Sequence, residues 1–115
     1  MSRHNLRVTL SQMLTHAREA LALTAGRTRS DLDSNRLLNL SLVRLLEIIG
    51  EAATRVPVEA RTGMPQIPWV QIMGLRNRLI HGYDQVDFDV LWQILNEDLP
   101  SLVKGLENTI TRIEE

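Results

Sequence analysis

Between Arg76 and Tyr83 the sequence reads Arg-Asn-Arg-Leu-Ile-His-Gly-Tyr, placing two arginines, an amide, a histidine and a phenol within eight residues. These side-chain types suit chemistry on a phosphate. A histidine such as His81 is the group best suited to move protons near neutral pH. The guanidinium of Arg76 presents a fork of donors that matches phosphate oxygens and developing negative charge. Asn77 could hold a phosphate or orient His81, and Arg78 could bind further phosphates or serve as a plain surface charge. Each residue also has a simpler use. A histidine at a helix end commonly caps it or faces its partial negative charge. A helical arginine is commonly a solvated ion-pair partner, and a tyrosine after a glycine turn packs its ring and wets its hydroxyl.

Spacing limits what the cluster can do inside one helix. At about 100° per residue, Arg76 and Tyr83 share a face if the helix persists that far. His81 is five residues from Arg76, an offset of about 140° in an ideal helix. Bringing both to one phosphate therefore requires a bent helix end, the reach of arginine, or a second copy of the segment.

The elements that must position these residues are helical throughout. Leu6, Leu10, Met13, Leu14, Ala17 and Leu21 recur at steps of three and four, which predicts an amphipathic helix over roughly 5–23. Gly26 and the polar stretch Arg27 to Ser30 break it. A second helix is expected from Asp33 or Ser34, either of which can cap it, to about Val56, where Pro57 stops it. Its seam is Leu38, Leu42, Leu45, Ile49, Ala52 and Val56, widened by Leu37, Leu46, Ile48 and Ala53. Such a helix is either central in one bundle or meets another subunit on its second face.

Three prolines and Gly63 mark 57–68 as a loop with about one helical turn near Glu59 to Arg61. Pro68 suits the first position of a third helix running from Trp69 to about Ile80, with Gly82 as a left-handed cap. A fourth helix, capped by Asp87 or Asp89, carries Val90, Leu91, Ile94 and Leu95. Pro100 either kinks it or restarts it as a fifth helix with Leu102, Val103, Leu106, Ile110 and Ile113. The expected architecture is a single all-α domain over 1–115, a four- to five-helix up-and-down bundle.

Composition narrows the function classes. At 115 residues there is room for one core. The absence of cysteine excludes disulfides, thiolate metal sites and a cysteine nucleophile. His4 and His16 read as surface residues, and no H-x3-H or H-E-x-x-H spacing suggests a metal. Glycine-rich phosphate loops and a nucleophile elbow are absent from the sequence as well. No cofactor is expected. A net charge of -1 argues against coating nucleic acid by charge alone. Twelve of the thirteen basic residues are nonetheless arginine, so a local cluster can still grip RNA. Only Trp69, Tyr83, Phe88 and Trp92 are aromatic, and the two tryptophans fall among apolar helical positions that suit packing better than base stacking. With no targeting signal and no apolar run near the roughly 20 residues that span a bilayer, a cytoplasmic protein is expected.

The motif segment resembles the R-x4-H-x-Y signature of the HepT-like branch of the HEPN superfamily. Around it, Leu46-Glu47-Ile48-Ile49-Gly50-Glu51-Ala52-Ala53 resembles that family's "leiiGEA" stretch. Pro65-Gln66-Ile67-Pro68-Trp69 resembles its "P-x-I-P-W" approach to the motif helix. Val86-Asp87, Val90-Leu91-Trp92 and Asp98-Leu99-Pro100 continue the pattern, so the resemblance runs from about Leu6 to Ile113. A bare R-x4-H is a weak signal, but it is strong together with GEA and IPW in this order.

The resemblance implies a helical homodimer with two R-x4-H motifs facing across a cleft, which would meet the geometric objection above. It also implies a metal-independent endoribonuclease toxin with Arg76 and His81 catalytic. An MntA-like minimal nucleotidyltransferase would be its antitoxin, transferring AMP to Tyr83, in a complex that could extend to a higher-order hetero-oligomer. RNA cleavage would then have His81 move the 2′-hydroxyl or leaving-group proton while Arg76 meets the phosphate charge. Products would be a 2′,3′-cyclic phosphate and a 5′-hydroxyl. AMP on Tyr83 would add charge and bulk where RNA must enter.

Glu51, on the central helix, either holds Arg76 or Arg78, pairs with an arginine across the dimer, or is simply solvated; the GEA match favours a pairing. Glu47, one turn earlier, reads as an exposed partner of Arg44 or of a neighbour. Two further functional readings compete with the enzyme. One is a non-catalytic dimeric subunit that partners a nucleotidyltransferase, and the other is a purely structural helical dimer. The intact Arg76, Asn77, His81 and Tyr83 favour the enzyme, and the structural dimer leaves the polar cluster unexplained.

Overall fold

A computed structural model describes residues 1–81 and 85–114, the last as backbone alone. Among these, eight α-helices and one π-helical turn account for the ordered elements, and the fold is all-α. Helix α1 (Arg3–Thr24) begins at Ser2, whose hydroxyl accepts from the Asn5 N–H at 3.0 Å. It buries Leu10, Met13, Leu14 and Ala17 of the expected stripe, with Leu6 and Leu21 half-buried at its ends and Ala20 buried in addition. Gly26, with φ of 75°, turns the chain in the left-handed region that a side chain disfavours.

The polar stretch after Gly26 is not simply a break. Helix α2 (Arg29–Ser34) forms within it, because the Asp31 carboxylate accepts the Thr28 N–H at 2.7 Å and buries only Leu32 beneath it. Consequently α3 (Arg36–Thr54) starts later than Asp33 or Ser34: the cap is Asn35, whose side chain accepts from the Leu38 N–H. Buried Asn39 donates to the Leu32 carbonyl at 2.8 Å and ties the two helices together. The predicted seam is buried throughout, its last member Val56 just past the end of α3 at Thr54, as are Leu46 and Ala53, but Ile48 is half-buried and Leu37 lies 77% exposed. The helix therefore has one outward face.

Helix α4 (Val58–Thr62) is the single turn expected after Pro57. Pro68 stands just before α5 (Trp69–Met73), which Gly74 separates from α6 (Leu75–Leu79). The expected single helix over 69–80 is thus two short ones, with Trp69, Ile72, Leu75 and Leu79 buried. Helix α7 (Phe88–Gln93) is capped by Asp87 and passes through a π-helical turn (Ile94–Asp98) into α8 (Leu99–Glu114). In that turn the Leu99 N–H reaches the Ile94 carbonyl, five residues back. Pro100 stands in the first turn of α8, directly after the π turn, where a proline is tolerated. The four- to five-helix expectation thus becomes a larger number of shorter segments, because Gly74, Asn35 and the π turn divide what periodicity alone runs together.

Helix α1 packs against α3 and α8, α3 also against α5 and α6, and α7 against α2 and α6. Arg29 reinforces the last junction: it bonds Asp89 at 2.7 Å and lies over the Phe88 ring. That hydrogen bond holds the Arg29 guanidinium above its ordinary value. Trp69 is buried and Trp92 half-buried against the core, as packing residues. No helix among the described residues is long and apolar enough to cross a membrane.

Candidate active site

The candidate site lies where α6 leaves the core and crosses the end of α3. Gly50 lets α5, just before α6, come close to α3: a Cβ there would stand 3.1 Å from the Ile72 carbonyl oxygen. Between the helices, Leu46, Glu47, Gly50, Glu51, Met73 and Arg76 line a cleft of about 150 Å³. Arg76 projects from its wall with 73% of its side chain exposed, and its Nε is 4.0 Å from Glu47 Oε2.

Within the chain, Glu51 neighbours Arg44 and Glu47 neighbours Arg76. Glu51 lies 3.8 Å from Arg44, seven residues earlier on the same helical face. It does not pair with Arg76 or Arg78 within the chain. Glu47 instead occupies the flank that faces α6 and is the acid beside Arg76.

Arg78, next but one along α6, turns the other way. Its Nη1 donates to Asp98 Oδ2 at 2.8 Å, and the half-buried pair fastens α6 to the π turn. Within the chain Arg78 is therefore engaged in an ion pair. Asn77 is exposed beside Arg76 on α6, with no role fixed by a contact.

His81 directly follows the C-cap of α6, where the chain has already become extended. Helix α6 ends at Leu79, and Ile80 is extended, with φ of -104° and ψ of 116°. Ile80 forms an isolated antiparallel bridge with Val86. The His81 N–H donates to the Gln85 carbonyl at 2.7 Å, and the Asp87 N–H donates to the Leu79 carbonyl at 2.8 Å. The ideal-helix offset between Arg76 and His81 therefore does not apply, because the backbone changes direction between them. The His81 side chain is 60% exposed, and its Nε2 lies 3.7 Å from Asp87 Oδ2. From sequence Asp87 reads as a helix cap and as part of the family pattern, not as a partner of His81; the bridge that brings residue 87 back beside residue 81 is a tertiary feature. Tyr83 and Gly82 lie outside the described residues.

Arg76 and His81 are thus both open to solvent, one on a helix and one on a bridged extended segment, each faced by a carboxylate. Such a pair can offer a cation and a proton-transfer group to a phosphodiester. Among the described residues, no group of three His, Asp or Glu side chains converges as a metal site.

Comparison with known proteins agrees with this chemistry. A family model described as "Ribonuclease HepT-like" matches residues 13–109. A protein named "Probable ribonuclease HepT" from Thermococcus cleftensis is 39% identical over 88 residues, 73% of this chain and 80% of its own. "Putative RNase MJ1380" from Methanocaldococcus jannaschii is 34% identical over 107 residues, covering 93% and 98%. "Putative RNase TTE0752" from Caldanaerobacter subterraneus subsp. tengcongensis is 30% identical over 103 residues, covering 90% and 92%. No solved structure gives a significant match.

Proposed function

The chain belongs to the HepT-like ribonuclease family, and we propose that it is a metal-independent endoribonuclease whose catalytic residues are Arg76 and His81. In this reading His81 takes the 2′-hydroxyl proton or protonates the leaving 5′-oxygen. The 2′-oxygen attacks phosphorus and the P–O5′ bond breaks, giving a 2′,3′-cyclic phosphate and a 5′-hydroxyl. Arg76 neutralises the charge that accumulates on the phosphoryl oxygens. The observation that carries this reading is the exposure of both side chains within a family match that spans the motif.

The active form is a homodimer. In support, Leu37 and Leu40 lie 77% and 50% exposed on α3. Arg44, Ile48 and Glu51 continue the same face at helical spacing, and Glu51 lines the Arg76 cleft. A second copy seated on this face would cover the leucines and border Arg76, so that groups from both chains reach one phosphate. Asn77 faces the same solvent and supplies a further contact to RNA. The protein is the toxin of a toxin–antitoxin module, neutralised when a nucleotidyltransferase places AMP on Tyr83.

The test is cleavage by the purified protein of an RNA and of the same sequence lacking 2′-hydroxyls. RNA alone should be cut, leaving a cyclic phosphate, and Arg76→Ala or His81→Ala should each abolish the activity. Equal cutting of both substrates, or full activity in either variant, overturns the mechanism. Co-expression with a nucleotidyltransferase encoded beside it should restore growth and add AMP to the peptide carrying Tyr83. Normal growth when expressed alone, no cleavage and an unmodified Tyr83 would instead assign a non-catalytic partner subunit.

A further inference from the structure

Asp87 uses its two carboxylate oxygens for two different tasks. Oδ1 accepts the backbone N–H groups of Asp89 and Val90, at 3.0 and 3.1 Å, and caps α7. Those bonds fix the rotation of the carboxylate and anchor its charge at the positive end of the helix. Oδ2 is left pointing toward His81, 3.7 Å from Nε2. The backbones of both residues are pinned by the same bridge, through His81 N–H to Gln85 and Asp87 N–H to Leu79. The contact is therefore built from backbone outward and does not depend on two long side chains meeting by chance. At 3.7 Å it is an approach of charges, longer than a hydrogen bond, and its field favours a proton on the nearer ring nitrogen.

We propose that Asp87 is the positioning residue of the site: it keeps the proton of neutral His81 on Nε2 and turns Nδ1 to the RNA. The assignment rests on the reading of His81 as the proton-transfer group, and it specifies which nitrogen performs the transfer. In the first step Nδ1 receives the 2′-hydroxyl proton while Nε2 keeps its own, and the resulting imidazolium is balanced by Asp87. Returning a proton from Nδ1 to the 5′-oxygen restores the neutral ring.

Two substitutions separate this role from capping. Serine is as good a helix cap as aspartate but carries no charge and does not extend to His81. In Asp87→Ser the melting temperature should stay within about 2 °C, while kcat for RNA falls about tenfold or more with KM nearly unchanged. Imidazole 15N NMR, with the His81 signals assigned against His81→Ala, should show the Nε2–H tautomer in the wild type and a more even mixture in Asp87→Ser. Asp87→Asn, which keeps the cap and the size without the charge, should shift the tautomer in the same direction and serves if the serine variant does not fold. An Nδ1–H tautomer in the wild type, or a ratio unmoved by either substitution, overturns the proposal. If the wild type cuts no RNA, the ribonuclease reading fails, and the tautomer ratio still decides the role of Asp87.

Discussion

Glu47 Oε2 stands 4.0 Å from Arg76 Nε, so an acid on α3 faces the guanidinium that the proposed reaction requires. The pair is largely open to water on the arginine side, where such contacts contribute little to stability. Its consequence is competition, since an incoming phosphate must share Arg76 with a carboxylate. Glu47→Gln should therefore tighten RNA binding about threefold to tenfold at low salt and less as salt rises. Melting should change by no more than about 2 °C. Binding titrations at two ionic strengths measure this, and weaker binding in the variant would mean that Glu47 orients Arg76 instead.

Gly50 sets how closely α5 approaches α3. A valine there would press two methyl groups toward the Ile72 carbonyl, which already lies 3.1 Å from the position of a single Cβ. Gly50→Val should cost about 2 kcal/mol of stability, seen as a fall in melting temperature of about 10 °C.

The Arg78–Asp98 pair is half-buried and joins α6 to the π turn at 2.8 Å. Arg78→Ala should destabilise the fold by about 1 kcal/mol, and Asp98→Ala by a similar amount. The double variant should lose less than the sum of the two, as denaturant titration around the cycle would show. If Arg78 acted only on RNA, stability would not move and binding would.

Leu46 is fully buried, yet it also floors the Arg76 cleft. Leu46→Ala should cost about 3 kcal/mol through lost burial and an incompletely filled cavity, read by urea denaturation. Because Glu47 and Arg76 hang from the helices on either side of it, cleavage should fall further than the unfolded fraction alone explains.

Long amphipathic stripes were legible before the structure. The spacing of Leu10, Met13, Leu14 and Ala17 located α1 to within two residues at its start and one at its end, and the predicted seam is buried from Leu38 to Val56, just past the end of α3. Periodicity reports a helical face directly, since burial depends on it. Boundaries set by single polar contacts were less legible. Asn35, and not Asp33 or Ser34, caps α3 because Asp31 is already engaged in starting α2. Gly74 divides the motif helix without interrupting its apolar pattern.

In the site, residue types pointed to phosphate chemistry, but their partners were not readable from spacing alone. Whether Glu47 or Glu51 meets Arg76 depends on where α6 crosses α3, a tertiary fact. Asp87 reaches His81 only because Ile80 leaves the helix and bridges to Val86. A helical projection of 76–83 contains no trace of that bridge.

The π turn at Ile94–Asp98 resets the angular phase of the rod formed by α7 and α8. Its extra residue lets Leu91 before the turn, Ile94 and Leu95 within it, and Leu99, Leu102 and Leu106 after it, point into one core. Deleting a single residue within 94–98 would leave an ordinary α-helix, rotated by about 100° on one side relative to the other. Held in place by the longer α8, the rod would swing Asp87 away from His81 and Asp89 away from Arg29 together. Chain length across this turn is therefore constrained from both ends, and an insertion or deletion there would disturb the approach of Asp87 to His81 without altering either residue.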